Sequence, residues 1–199
     1  MVDQAQVEFY NEIYRAKPRM WSSVDRDYLA FKIVSQHLED EPDTMLDIGC
    51  GNGHTIAFFH AQWPDTEYTG VDISDVALEL AKKRVPDGKF YEDMRLGRYD
   101  VITIMGTAEH FEDPAAELHY IASHMSLNTL LYLECPNCLA YSPDKTEGFR
   151  KTHAGSDQSE WHWLRSTWEQ ATRDAGLEIV KGYKGALPEA EFIWVLKRC

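Results

Sequence analysis

The sequence predicts an α/β fold: a doubly wound, Rossmann-like sandwich around a seven-stranded, mostly parallel sheet with a C-terminal antiparallel hairpin. Three observations predict it. Short apolar runs of strand length alternate with amphipathic helical patterns. A glycine-rich turn, Gly49-Cys50-Gly51-Asn52-Gly53, follows the first apolar run and opens a helical stretch. The last two runs, Leu177 to Tyr183 and Phe192 to Leu196, lie too close for a crossover helix, so they should pair antiparallel.

The elements follow in order. Two helices, about Val2 to Arg15 and Val24 to Glu39, precede a first strand at Met45 to Ile48, entered from the breaker Glu41-Pro42-Asp43. A helix from about His54 places Ile56, Phe59, His60 and Trp63 on one face, and Glu67 to Val71 is the second strand. Ser74 is a candidate N-cap for a helix whose row is Val76, Leu80 and Arg84, ended by Pro86. A short strand at Lys89 to Tyr91 precedes a stronger one at Tyr99 to Met105. Asp113-Pro114 starts a helix with a capping acid and an N1 proline, and Leu118, Ile121, Ala122 and Met125 form its buried stripe. Leu130 to Glu134 reads as an interior strand. Trp161, Leu164, Trp168, Ala171 and Ala175 suggest a last helix, which Gly176 ends. With no linker or repeat, residues 1–199 read as one domain: N-terminal helices over 1–40, a core over 43–199, and a polar loop about 140–160 for substrate recognition.

Composition narrows the function classes. A formal net charge of -13 disfavours a phosphate backbone as partner, so no nucleic acid is expected, and a small neutral or cationic molecule suits the surface better. No apolar run approaches the roughly 20 residues that span a bilayer. The first segment has no signal-peptide core, and four cysteines are too few for a disulfide framework, so the expected location is cytoplasmic. Oligomeric state is left open.

The sharpest signal is the glycine turn at the tip of the first strand, followed about 20 residues later by Asp72 at the end of the second. Glycines let the backbone turn tightly and approach a ligand, and an acid at that distance is placed to bind a ribose diol. The nicotinamide fingerprint Gly-x-Gly-x-x-Gly fails: counted from Gly49 it meets His54, and counted from Gly51 it meets Ile56. A nicotinamide-dependent oxidoreductase is therefore the weaker enzyme reading.

Leu-Asp-Ile-Gly-Cys-Gly-Asn-Gly at residues 46–53 resembles the first motif of class I S-adenosylmethionine-dependent methyltransferases, and Tyr-Thr-Gly-Val-Asp-Ile-Ser at 68–74 their second. Asp93-Met94, the run Tyr99 to Met105, and Glu109-His110-Phe111 resemble later motifs. Leu-Glu-Cys-Pro-Asn at 133–137, with the helix ending Ala175-Gly176-Leu177, is similar to the ubiquinone-biosynthesis-like branch. The resemblance implies S-adenosyl-L-methionine as cofactor and methyl transfer to an O or N atom of a small molecule. Gly49, Gly51 and Gly53 would line its methionine part, Asp47 would lie near the sulfonium, and Asp72 would hold the ribose. Ile73, Asp93 and Met94 would meet the adenine, and Cys50 and Met105 complete the implied cofactor-binding set. The rival on the same fold is a non-catalytic cofactor-binding or interaction protein.

His110 is the candidate catalytic base, though packing beside the cofactor's tail is the more expected role. Metal-dependent relatives carry Glu-x-x-Glu-His, whereas Gly106 replaces the first acid here, leaving Glu109, His110 and His153 or His162, so no metal is expected. Cys135-Pro-Asn-Cys138 lacks a second cysteine pair and reads as a strand-to-loop turn rather than a zinc or redox site. Phe9, Tyr10, Tyr14 and Trp21 are either a lid or, as expected here, helix packing; Arg19 or Arg26 are alternatives for meeting the cofactor's carboxylate.

Overall fold

All seven expected strands form: β1 (Thr44–Ile48), β2 (Glu67–Val71), β3 (Lys89–Tyr91), β4 (Val101–Ile104), β5 (Leu130–Pro136), and the C-terminal pair β8 (Leu177–Lys184) and β9 (Glu191–Arg198). They hydrogen-bond in one sheet in the order β3-β2-β1-β4-β5-β9-β8. The structure is a computed structural model that describes residues 4–19, 25–93, 97–136, 148–151, 159–184 and 191–199. Its chain divides into two compact units, Met1–Leu96 with Asp100–Thr103, and Gly97–Tyr99 with Ile104–Cys199.

In the first unit, β1 pairs parallel with β2 (Leu46 opposite Thr69) and β2 parallel with β3. The helices are α1 (Gln4–Ala16), α2 (Asp25–His37), α3 (His54–His60) and α4 (Asp75–Arg84). Ile56 and Phe59 of α3 are buried, and Phe31 of α2 packs on Phe58 and Phe59 at ring distances of 5.0 and 5.7 Å. Trp63 lies past the end of α3 but still stacks on Phe59, 5.3 Å away and 7° from parallel. Ser74 caps α4 as expected, its Oγ accepting from Ala77 N at 3.1 Å. The row that α4 buries differs from the expected one: Ala77, Leu78 and Ala81 face inward, whereas Val76, Leu80 and Arg84 are only half-buried. Small alanines on that face allow α4 to approach the glycine turn closely.

In the second unit, β9 is the middle strand of an antiparallel set, pairing Trp194 with Leu133 of β5 and with Gly182 of β8. The β8–β9 hairpin is thus as expected, with a register shift between Ile179 and Lys181. Helix α5 (Pro114–Ser123) is capped by Asp113, whose Oδ1 accepts from Ala115 N and Ala116 N at 3.1 and 3.0 Å. Leu118, Ile121, Ala122 and Met125 are buried as the spacing required.

The stretch around Trp161 corrects the sequence reading. The last helix, α6, runs over Arg165–Asp174, and Trp161 belongs to a strand, β7 (Ser159–His162), which pairs antiparallel with β6 (Gly148–Lys151). The side-chain period explains the difference. Trp161 and Trp163 stack face to face, 5.4 Å apart and 1° from parallel. Residues two apart share a face in extended chain and do not in a helix. Much of the expected loop, residues 137–147 and 152–158, lies outside the described residues.

Among the described residues no helix is long and apolar enough to cross a membrane.

Candidate functional site

The first unit builds its site from two strand tips. β1 ends at Ile48, and Gly49 N and Cys50 N both donate to Val71 O at the end of β2, at 2.8 and 2.9 Å. Gly53 N returns to Cys50 O at 2.9 Å, closing a tight turn from which α3 starts. Gly49, Gly51 and Gly53 have φ values of 74, 51 and 75°. Only glycine takes that left-handed backbone routinely, so the spacing of the turn follows from its geometry.

Asp72 locks the two tips together. Its Oδ2 accepts from Gly51 N at 2.8 Å and its Oδ1 from Ser74 N at 2.9 Å. A carboxylate offers about four acceptor positions, so two backbone bonds orient the group without exhausting it. Ile73 is half-buried beside it. Asp47 lies lower in β1, 1% exposed, with Oδ1 accepting from Thr103 Oγ1 at 2.7 Å. Cys50 is buried, and burial first, then the Asp72 and Asp47 charges, raise its pKa, which keeps it a neutral thiol. Asp93 is exposed in the bend after β3, and Met94 lies outside the described residues.

Sequence reasoning undervalued the N-terminal helix. Tyr14 of α1 is only 6% exposed, and a Cβ placed on Gly51 would collide with its hydroxyl. Burial first, and the Asp72 carboxylate second, hold the Tyr14 phenol well above its ordinary pKa, so it remains a donor at neutral pH. Asn11, one turn earlier, accepts from Ser74 Oγ at 2.6 Å, and Asn52 Nδ2 donates to Pro18 O at 3.0 Å. The N-terminal segment is therefore fastened to both strand tips, which the reading of its aromatics as packing alone did not foresee. The Asn11/Tyr14 spacing puts both on one helix face, but nothing local says what that face meets. Phe9 and Tyr10 meet edge to face, 5.3 Å apart and 76° from parallel; Trp21 lies outside the described residues. Tyr14→Phe is expected to weaken S-adenosylhomocysteine binding about fivefold by removing one hydrogen-bonding group. Calorimetry that finds unchanged affinity would return the phenol to a packing role.

Arg84 sits near this cluster, its guanidinium 3.3 Å from His54 Nδ1. Burial first, then the charge of Arg19, lower its pKa, so Arg19 and Arg84 are electrostatic neighbours.

In the second unit, Met105 is buried just past β4. His110 ends the 3-10 helix Ala108–His110, half-buried, and Glu109 before it is 8% exposed. Cys135 is buried in β5; burial first, then Glu109 and Glu134, raise its pKa. Because the thiolate is the metal ligand and nucleophile, a neutral Cys135 suits a structural role. Cys138 and His153 lie outside the described residues. Among the described residues no three His, Cys, Asp or Glu groups are placed to hold a metal ion.

This is the fold of S-adenosylmethionine-dependent methyltransferases. A methyltransferase from Mesorhizobium loti superposes with a TM-score of 0.74 at 17% identity, covering 87% of this chain and 98% of that one. Magnesium protoporphyrin IX methyltransferase from Synechocystis PCC 6803, solved with bound SAH, gives 0.72 at 16%, covering 98% of each chain. The family model described as "Methyltransferase domain" matches residues 20–181, and the chain belongs to that family. Relatives named trans-aconitate 2-methyltransferase include one from Enterobacter sp. (strain 638), 30% identical over 118 residues, 57% of this chain and 47% of that protein. Another, from Rhodopseudomonas palustris (strain BisA53), is 35% identical over 68 residues, 34% of this chain and 27% of that protein. The matched segments span about half of the first relative's length and less of the second.

Proposed function

We propose that this chain binds S-adenosyl-L-methionine and transfers its methyl group to an O or N atom of a small molecule. One observation carries the reading: Asp72 joins the glycine turn of β1 to the end of β2 through Gly51 N and Ser74 N. That arrangement suits an adenosyl group, because the carboxylate is pre-oriented for a ribose diol and Gly51 adds no Cβ beside Tyr14. The proposed assignments are Asp72 to the ribose, Ile73 and Asp93 to the adenine side, and Gly49, Gly51 and Gly53 to the methionine part. Arg84 and Arg19 supply positive charge for its carboxylate.

Held by these residues, the cofactor would supply an electrophilic methyl on a sulfonium. The chain's part is placement and water exclusion, which together can lower the barrier by roughly 7–11 kcal/mol in ideal cases. His110, half-buried past β4, is the proposed proton acceptor where the nucleophile arrives protonated. Leu-Glu-Cys-Pro-Asn at 133–137, with the helix ending Ala175-Gly176-Leu177, supports the ubiquinone-biosynthesis-like branch. The free thiols Cys50, Cys135 and Cys199 suit a reducing compartment such as the cytoplasm.

Calorimetry with S-adenosylhomocysteine, followed by labelled cofactor and a metabolite extract, tests the reading. Micromolar or tighter binding with label in a small molecule is expected. Binding without any transfer would favour the non-catalytic alternative, and label found only in protein or RNA would refute a small-molecule acceptor.

A further inference from the structure

Glu109 is a buried carboxylate that the fold leaves unused. It is 8% exposed, and its Oε2 lies inside the protein with no hydrogen-bond partner. Burying such an oxygen without a donor is unfavourable, and native proteins keep few of them. A ligand that brings the donor removes the penalty, and such groups cluster where ligands bind. The backbone that carries Glu109 is well anchored. The 3-10 helix Ala108–His110 packs against β5 and β7. Just beyond it, Phe111 O accepts from Trp163 Nε1 at 2.9 Å, and the Phe111 ring lies 6.3 Å from that of the buried Trp168. The helix follows the carboxyl end of β4, and ligands of open α/β sheets bind outside the carboxyl ends of the strands. Successive residues of a 3-10 helix point about 120° apart, so Glu109 and the half-buried His110 face different directions.

We propose that Glu109 receives a hydrogen bond from an O–H or N–H group of the methyl acceptor and so selects and orients that molecule. The proposal rests on the methyltransferase reading above and narrows its substrate class. Because the two side chains diverge, the group that Glu109 holds is distinct from the atom that His110 is proposed to serve. Two separate contacts restrict the acceptor's orientation more than one does. An acceptor whose polar groups are all carboxylates at pH 7 has no hydrogen to offer Glu109 and is disfavoured. A metal ion fits less well: Gly106 stands where a further acid would be needed, and no three-ligand group occurs among the described residues.

The test uses the full chain, labelled S-adenosylmethionine and a serially diluted cell metabolite extract. Glu109→Gln keeps the shape of the side chain and leaves a weaker acceptor. It should raise the half-saturating extract concentration about tenfold, with a smaller change in the rate at saturation and with S-adenosylhomocysteine affinity unchanged. Thermal unfolding without ligand gives a readout independent of transfer: with no bond at Oε2 to lose, the variant should unfold at the same temperature or higher. An unchanged half-saturating concentration would overturn the proposal. So would a fall of several degrees in unfolding temperature, which would give Glu109 a structural task, or a requirement for added Mg²⁺ or Mn²⁺ that the variant abolishes. With the unaltered protein, mass spectrometry of the labelled product should find at least one O–H or N–H besides the methylated atom. A product with none would overturn the proposal while leaving the methyltransferase reading in place. Failure to bind S-adenosylhomocysteine would remove both readings together.

Discussion

Asp72→Asn is expected to weaken S-adenosylhomocysteine binding about 100-fold, roughly 2.7 kcal/mol. The carboxylate performs two tasks, and the amide can do only part of each. It holds Gly51 N and Ser74 N at 2.8 and 2.9 Å, one on each oxygen. The amide keeps one acceptor oxygen and turns an NH₂ toward the other N–H, so one strand tip loses its partner. It also loses the charge that strengthens hydrogen bonds to a diol: bonds to charged groups contribute about 1.5–3 kcal/mol, against about 0.5–1.5 for neutral ones. Calorimetry reads the effect directly, with thermal unfolding run alongside to show that the variant is folded. A loss below about threefold would mean that the diol is held elsewhere and that Asp72 only staples β1 to β2.

Gly53→Ala is expected to cost about 2–5 kcal/mol of stability and to remove cofactor binding with it. Two penalties combine. At φ 75° an alanine sits in the left-handed region, at a cost of roughly 1–2 kcal/mol. Its Cβ would also meet Ala81 Cβ at 3.0 Å and Ala81 Cα at 3.1 Å, and overpacking of this kind costs about 1–3 kcal/mol. The backbone of α4 must move, because an alanine has no flexible end to yield. Gly176 provides the control: its φ is 69°, but a Cβ there would meet nothing within 4 Å. Gly176→Ala should therefore show the conformational penalty alone. Urea unfolding of the two variants separates the terms. Equal losses would show that the close approach of α4 is not what requires glycine at position 53.

The candidate site was unevenly legible in the sequence. Gly49, Gly51, Gly53 and Asp72 could be placed because their constraints are local or tied to strand ends, and the structure brings them together. Asn11 and Tyr14 were not legible as site residues: the fastening to Ser74 and Gly51 crosses 63 positions in one case and depends on how α1 meets α4. The burial of Glu134 was hidden for a similar reason. An acid in an apolar strand looks like a strand end in a linear reading, and only burial shows that it lies inside. Trp161 failed differently, since one spacing of aromatic residues satisfied a helix while its neighbour at i+2 satisfied a strand.

By itself the sequence determined the succession of the seven strands of the main sheet, the glycine turn, the caps at Ser74 and Asp113, and the final hairpin. Each is set by forces acting within a few residues: side-chain period, backbone sterics and local hydrogen bonding. Tertiary structure alone decided the face that α4 buries, the strand fate of Trp161, the docking of α1 on the glycine turn, and the burial of Glu109 and Glu134. Those outcomes depend on which distant groups are excluded from water together, and the energy of burial belongs to the assembled neighbourhood rather than to any one segment.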